Sequence, residues 1–205
     1  MPRPLLVAAL VLLPLAARAR PTAAVRLAWA PVIGNVSRGI PMTDAMGAQI
    51  PVQLDGLWRI GPASVGVYAS WGLGLVSSGA CGAGADCSAS GVRLGVQGHW
   101  ALRPIGEARI VPWGGMGLGW EWAFQTRERL GSRTSWRWSG PELALQGGAE
   151  WPLAGRFGLG PFVQLAFGRY GRVSLDTSAA SASADIDTRA VHAWVQLGVR
   201  GRIDL

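Results

Sequence analysis

The closing eighteen residues, Thr188 to Leu205, alternate in polarity up to the last position. Val191, Ala193, Val195, Leu197, Val199, Ile203 and Leu205 share one parity. His192, Trp194, Gln196, Gly198, Arg200 and Arg202 share the other. A period of two is the pattern of a β-strand with unlike faces. Soluble domains commonly end in a frayed tail. A terminal strand with a wholly apolar face needs instead a partner for its backbone and a cover for its side chains.

The pattern occurs seven more times upstream. Its apolar parities are Val25, Leu27, Trp29 and Ile33; Val52, Leu54 and Trp58; Val65, Val67, Ala69, Trp71, Leu73 and Leu75. Then come Val92, Leu94, Val96, Trp100 and Leu102; Ile110, Met116, Leu118, Trp120 and Trp122; Leu143, Leu145 and Trp151; and Phe157, Leu159, Val163, Leu165 and Phe167. The intervening residues are mostly Gly, Ala and scattered polar groups. Short Gly/Pro turns at Ile60–Ala63, Arg103–Glu107 and Pro152–Gly155 alternate with longer polar segments. The latter are Asn35–Gly47, Ser77–Ser90, Thr126–Ser135 and Gly171–Asp187. Strict alternation of short and long connections predicts an up-and-down meander with every long loop at one end.

Which face looks outward is a question of volume. A soluble eight-stranded carrier would turn the Val/Leu/Trp parity inward. The interior of such a barrel is just wide enough to be filled by side chains or to hold one small ligand, so that parity does not fit. The Gly-rich parity fits inside and leaves room for Tyr68, Trp113, Phe162, Trp194 and the inward arginines. The apolar parity therefore faces lipid, and closure in lipid satisfies the backbone of every strand. The chain is expected to be an all-β, eight-stranded, antiparallel, up-and-down transmembrane β-barrel spanning residues 20–205. Tryptophan placement agrees. Trp58, Trp100 and Trp151 fall near the short-turn end, and Trp71, Trp120, Trp122, Trp136 and Trp138 near the long-loop end. Two aromatic levels around an aliphatic band form an interfacial girdle.

The N-terminus has the form of a secretory signal: Arg3, an apolar stretch from Leu5 to Ala17, and a small-x-small site at Ala17-Arg18-Ala19. Cleavage after Ala19 removes Arg3 and Arg18, taking the formal charge from +7 to +5. No later apolar run is long enough for a transmembrane helix. In an exported protein Cys81 and Cys87, inside a Gly/Ser-rich loop, predict a disulfide. Asp86 beside them is too little for a metal site, and no cofactor is expected.

This architecture resembles the small OmpA-, OmpX- and OmpW-type outer-membrane barrels of Gram-negative bacteria. The resemblance covers the mature chain and rests on architecture, not on a motif. It implies residence in the bacterial outer membrane among lipid and lipopolysaccharide, and insertion by the barrel-assembly machinery. That family commonly ends on an aromatic residue. This chain ends on Leu205, with Ile203 on the same face, and no peptidoglycan-binding domain is expected after the barrel.

Candidate functional residues are the inward polar groups. Arg93, Glu121, Glu142 and His192 are expected at an upper level. Arg26, Asp55, Arg59, Arg109, Glu150, Arg200 and Arg202 are expected lower down, and Gln196 shares their face. Charges in a narrow lumen pair or stay hydrated. One reading is an internal network that plugs the barrel and leaves a structural or surface-interaction role for a monomer. Another is a narrow pore, in which excess arginine would favour anions, or a path for a small hydrophobic solute. A third is a lipid A-modifying enzyme, which needs a base beside a nucleophile. Both histidines, His99 and His192, lie on the inward parity, away from a lipid substrate, so no enzymatic activity is expected. Arg127, Arg129, Arg133 and Arg137 in the third long segment, with Arg169 and Arg172 beginning the fourth, suit phosphate geometry. They are candidates for lipopolysaccharide contact, or else form a solvated surface. No nucleic-acid recognition motif is present.

Overall fold

The computed structural model describes residues 20–76, 81–82, 84–103, 108–153 and 156–205. The expected signal segment 1–19 and parts of two expected short turns, within Arg103–Glu107 and Pro152–Gly155, lie outside them. The strands are β1 (Arg20–Ser37), β2 (Ile40–Pro41), β3 (Ala48–Ile60), β4 (Ala63–Leu75), β5 (Asp86–Ala101), β6 (Val111–Arg129), β7 (Ser132–Pro152), β8 (Phe157–Gly168), β9 (Arg172–Thr177), β10 (Ser181–Asp185) and β11 (His192–Asp204). One 3₁₀ turn, Met42–Asp44, sits between β2 and β3.

Eight of these strands form a closed antiparallel ring, β1-β3-β4-β5-β6-β7-β8-β11. Closure is the pairing of β11 with both β8 and β1. The final residue takes part: the Leu205 amide donates to the Pro21 carbonyl at 2.9 Å. The closing strand of the chain is thus paired on both edges, as a membrane-spanning strand must be.

The faces divide by parity. Leu54, Val96, Met116 and Leu118 stand more than half exposed on the outer wall, while Trp194 inside is 0% exposed. Inward glycines make the space. A Cβ at Gly95 would come within 2.6 Å of the Tyr68 ring, so Tyr68 crosses the lumen only because its neighbours on β5 and β6 carry no side chain. Outside, Trp71, Val92 and Trp122 form one directly paired row near the loop end. Trp100 lies eight residues down β5 from that row. That is about 27 Å of strand, or about 20 Å along the axis for a strand tilted by about 40°, close to the height of a lipid-facing band. Trp58 and Trp151 stand with Trp100 at the turn end.

Several expectations need correction. Thr126–Ser135 is not a loop. β6 and β7 run on to a two-residue turn at Leu130-Gly131, with φ of 50° and 76°. Positive φ at both central residues is the type I′ hairpin condition, usually announced by Asn-Gly or Asp-Gly rather than Leu-Gly. Most of Gly171–Asp187 is likewise strand. β7 outruns β8, whose pairing stops at Glu142↔Gly168, and β9 and β10 cover the exposed edge. Asn35–Gly47 folds inward, burying Met42 and Met46. Trp136 and Trp138 do not belong to the girdle. They share the parity of inward Glu142, and they stand at the mouth of the barrel. Arg109 is exposed in the bend before β6, outside the lumen. The predicted disulfide between Cys81 and Cys87 is present.

The closed ladder predicts heat-modifiable migration: unboiled protein in dodecyl sulfate should run faster than boiled protein. Reduction of Cys81–Cys87, which ties the loop-end start of β5 to the segment before it, should leave that shift unchanged. Identical mobility before and after boiling would contradict the closed ring.

Candidate functional site

Arg26 leaves β1 at mid-height and is 1% exposed. Its guanidinium draws on five other strands. Nε donates to Asp55 Oδ2 on β3 at 2.7 Å. Nη2 donates to Gln97 Oε1 on β5 at 3.1 Å and lies 3.2 Å from His99 Nε2. Nη1 donates to the side-chain oxygens of Gln146 on β7 and Gln164 on β8. The planar group also faces the rings of Trp113 on β6 and Phe162 on β8, at 5.6 and 5.4 Å. Gln53 and Gln146 extend the net, donating to Asp55 Oδ1 and Gln97 Oε1 at 2.8 and 3.1 Å.

Below this layer Arg200 and Arg202 both pair with Glu150, and Arg202 also pairs with Asp204. Arg59 Nη1 reaches Asp204 Oδ2 at 2.9 Å, and Arg200 Nε approaches Asp55 to 3.7 Å. The cavity here is only about 30 Å³, room for one or two waters. Above, Arg93 pairs with Glu121 at 3.3 Å and Glu142 at 2.9 Å, and the Gln49 amide is oriented to accept from it. Glu121 also takes His192 Nε2 at 2.8 Å and accepts from Trp194 Nε1 at 2.8 Å. Tyr170 stacks on His192 with centroids 4.3 Å apart. Gln196 is buried between the two levels, and its Nε2 makes no hydrogen bond among the described residues.

Of the residues expected in the lumen, only Arg109 lies elsewhere. Sequence reasoning leaves Asp204, Tyr170 and the glutamines Gln49, Gln53, Gln97, Gln146 and Gln164 out of the network. The glutamines could have been found, because they recur on the glycine-rich parity of successive strands. With Asp204 inside and Arg109 outside, five arginines face five carboxylates among the described residues: Arg26, Arg59, Arg93, Arg200 and Arg202 against Asp55, Glu121, Glu142, Glu150 and Asp204. Among these residues there is no excess of inward arginine to favour anions.

The loop arginines divide between two faces. Directly paired residues share a face. Phe124 pairs with Arg137, and Ser139 pairs with both Trp122 and Arg172. Arg137 and Arg172 therefore stand on the outer wall, just above the tryptophans. Arg133 shares the outer parity. Arg169 follows outward Phe167 by two residues, its amide bonded to the Pro141 carbonyl at 3.2 Å. Arg127 and Arg129 share the parity of Glu121 and turn to the mouth side. Arg172 meets Asp185 at 3.5 Å in an exposed pair, too loose to hold it.

No protein-family model and no curated protein sequence matches this chain. Solved structures do match. Neisserial surface protein A aligns with a TM-score of 0.57 at 11% identity, over 91% of this chain and 97% of that one. A major outer membrane protein of Thermus thermophilus aligns with a TM-score of 0.58 at 11% identity, over 89% of this chain and 99% of that one. The chain has the fold of the small eight-stranded bacterial outer-membrane barrels.

Removing Arg26 leaves Asp55 buried with the Gln53 amide and only the longer approach of Arg200 as a counter-charge. Arg26→Met should cost about 3 kcal/mol, the lower end for breaking a buried pair. Removing both charges, in Arg26→Met with Asp55→Leu, should restore much of that loss. Urea unfolding of barrels refolded in lipid vesicles measures both. A single variant as stable as wild type would show that the pair does not brace the barrel.

Proposed function

We propose that this outer-membrane barrel is closed along its axis and works at its loop end, as a structural and surface-interaction protein held in a lipopolysaccharide leaflet. The observation that carries this is the Arg26 guanidinium, whose partners on β3, β5, β6, β7 and β8 occupy the middle of the lumen. A second bar lies above it in Arg93, Glu121, Glu142 and Trp194. A solute would have to part both layers and strand charges in a low dielectric. The groups best suited to acid–base chemistry, His192 and Glu121, are about 1% exposed, with His192 stacked on Tyr170, which supports a role without catalysis.

The outer wall supports the lipopolysaccharide contact. Trp120, Trp122 and Phe124 climb β6, and Arg137, Arg169 and Arg172 stand beside and above them on the adjoining strands. Acyl chains would lie against the rings and phosphates against the guanidinium groups, which fit phosphate oxygens in pairs. Arg133 lies higher on the same face. Arg127 and Arg129 are left out of this contact because they face the mouth.

Planar-bilayer recording tests the closed axis. Wild-type protein should show no discrete steps, and regular steps in it would overturn the reading. The Arg137→Ala, Arg169→Ala, Arg172→Ala triple variant should co-purify several-fold less lipopolysaccharide, whereas Arg127→Ala with Arg129→Ala should co-purify as much as wild type. Equal retention by all three proteins would remove the outer-wall contact.

A further inference from the structure

The barrel mouth contains a cavity of about 590 Å³, large enough for a small organic molecule. Its lining is mainly apolar. Trp136 and Trp138 form one wall as successive inward residues of β7, about 7 Å apart along the strand. The end of β10 and the residues after it contribute Asp185, Ile186 and Asp187, and the 3₁₀ turn contributes Asp44. Six acidic residues lie at the loop end of the chain: Asp44, Asp86, Glu128, Asp176, Asp185 and Asp187. Three of them line this one cavity, and of the three only Asp185 has an arginine partner among the described residues, Arg172 at 3.5 Å on the outer wall. On a chain of net charge +7, Asp44 and Asp187 thus bring negative charge to this cavity.

The floor is closed. Val36, Ala45 and Ile186 line the cavity and also belong to the packed cluster of Met42, Met46, Tyr170 and Trp194. These last four are each at most 1% exposed. An occupant would therefore rest on the cap of the lumen and not pass into it. The wall facing the turn is tied to it as well, since Gln125 Nε2 donates to the Asp44 carbonyl at 3.3 Å.

We propose that this vestibule binds a small organic cation, an ammonium or guanidinium group carried on an apolar body. The indole faces attract a cation through their quadrupoles. The carboxylates add attraction that is strengthened by the low dielectric of an apolar wall. An anion would meet Asp44 and Asp187, which pair with no arginine among the described residues. A neutral apolar molecule could fill the volume but would gain nothing from the aspartates. The site meets the outer wall only where Asp185 faces Arg172, and it does not depend on the axis being closed, so a test that leaves Asp185 in place separates it from both readings.

The probe is benzyltrimethylammonium, with its uncharged carbon isostere neopentylbenzene as the comparison. Protein refolded in an alkyl glucoside is titrated and tryptophan emission is read. A phosphocholine detergent is avoided because its headgroup would compete. Saturable binding is expected, about tenfold tighter for the cation than for the isostere and weakened by added salt. Asp44→Asn with Asp187→Asn should abolish the preference for the cation while leaving the binding of the isostere unchanged. These exposed substitutions should keep heat-modifiable migration, which checks that the variant is folded. Trp136→Ala should weaken both ligands. No saturable binding of the cation, equal affinity for cation and isostere, or an unchanged preference in the aspartate variant would each overturn the proposal.

Discussion

Everything in this molecule depends on the pairing of β1 with β11. In lipid no water is available for an unpaired amide or carbonyl, so a sheet that stops has two costly edges. Bringing Val25 opposite Gly201 and Leu27 opposite Val199 removes both at once. Once the ring is closed, the alternation of side chains has only two destinations, and each residue's parity sets which one it reaches. The aliphatic band, the tryptophan rows and the glycine-lined interior all follow from that one closure.

A ring of eight strands leaves little interior volume, and the sequence fills it with polar groups that satisfy one another. Glycine at 95 and its neighbours admit Tyr68. The glutamines then serve as short connectors whose amides both donate and accept, so the single Arg26 can be satisfied from several strands. Five arginines against five carboxylates make the described interior neutral as a whole. Its upper layer is nonetheless acidic, with Arg93 against Glu121 and Glu142, and its lower layer is basic. Such a filling is costly to disturb at one point because each charge has been removed from water and relies on its partners.

The ring, its strand order and its two faces were legible from residue parity, because a half-buried strand in lipid has no freedom to exchange its faces. The lumen charges were legible for the same reason, which is why Arg93, Glu121, Glu142 and His192 emerge as one level. What could not be read was structure outside the membrane. Leu130-Gly131 lacks the usual turn residues, so the hairpin reads as a loop. The Ser- and Ala-rich β10 has weak strand propensity, and it forms because β9, seated on the edge of β7, presents an edge in turn. Residue type alone sends Trp136 and Trp138 to the lipid interface, although counting by twos from Glu142 points them inward. Arg109 precedes by two residues the strand whose parity would have carried it into the lumen.

The partners of Arg26 bear on how the barrel is made. Arg26 belongs to the first strand, yet Gln146 and Gln164 lie on the sixth and seventh strands of the ring. A hairpin of β1 and β3 entering the bilayer alone would satisfy Asp55 but carry Arg26 with most of its hydrogen bonds unmade. The same holds for β5 with Arg93, whose acidic partners belong to β6 and β7. The charges find their full complement only when the sheet has curled far enough to face itself. The interior that braces the finished wall therefore works against piecemeal insertion, and favours an order of events in which the strands curl together before they are surrounded by hydrocarbon.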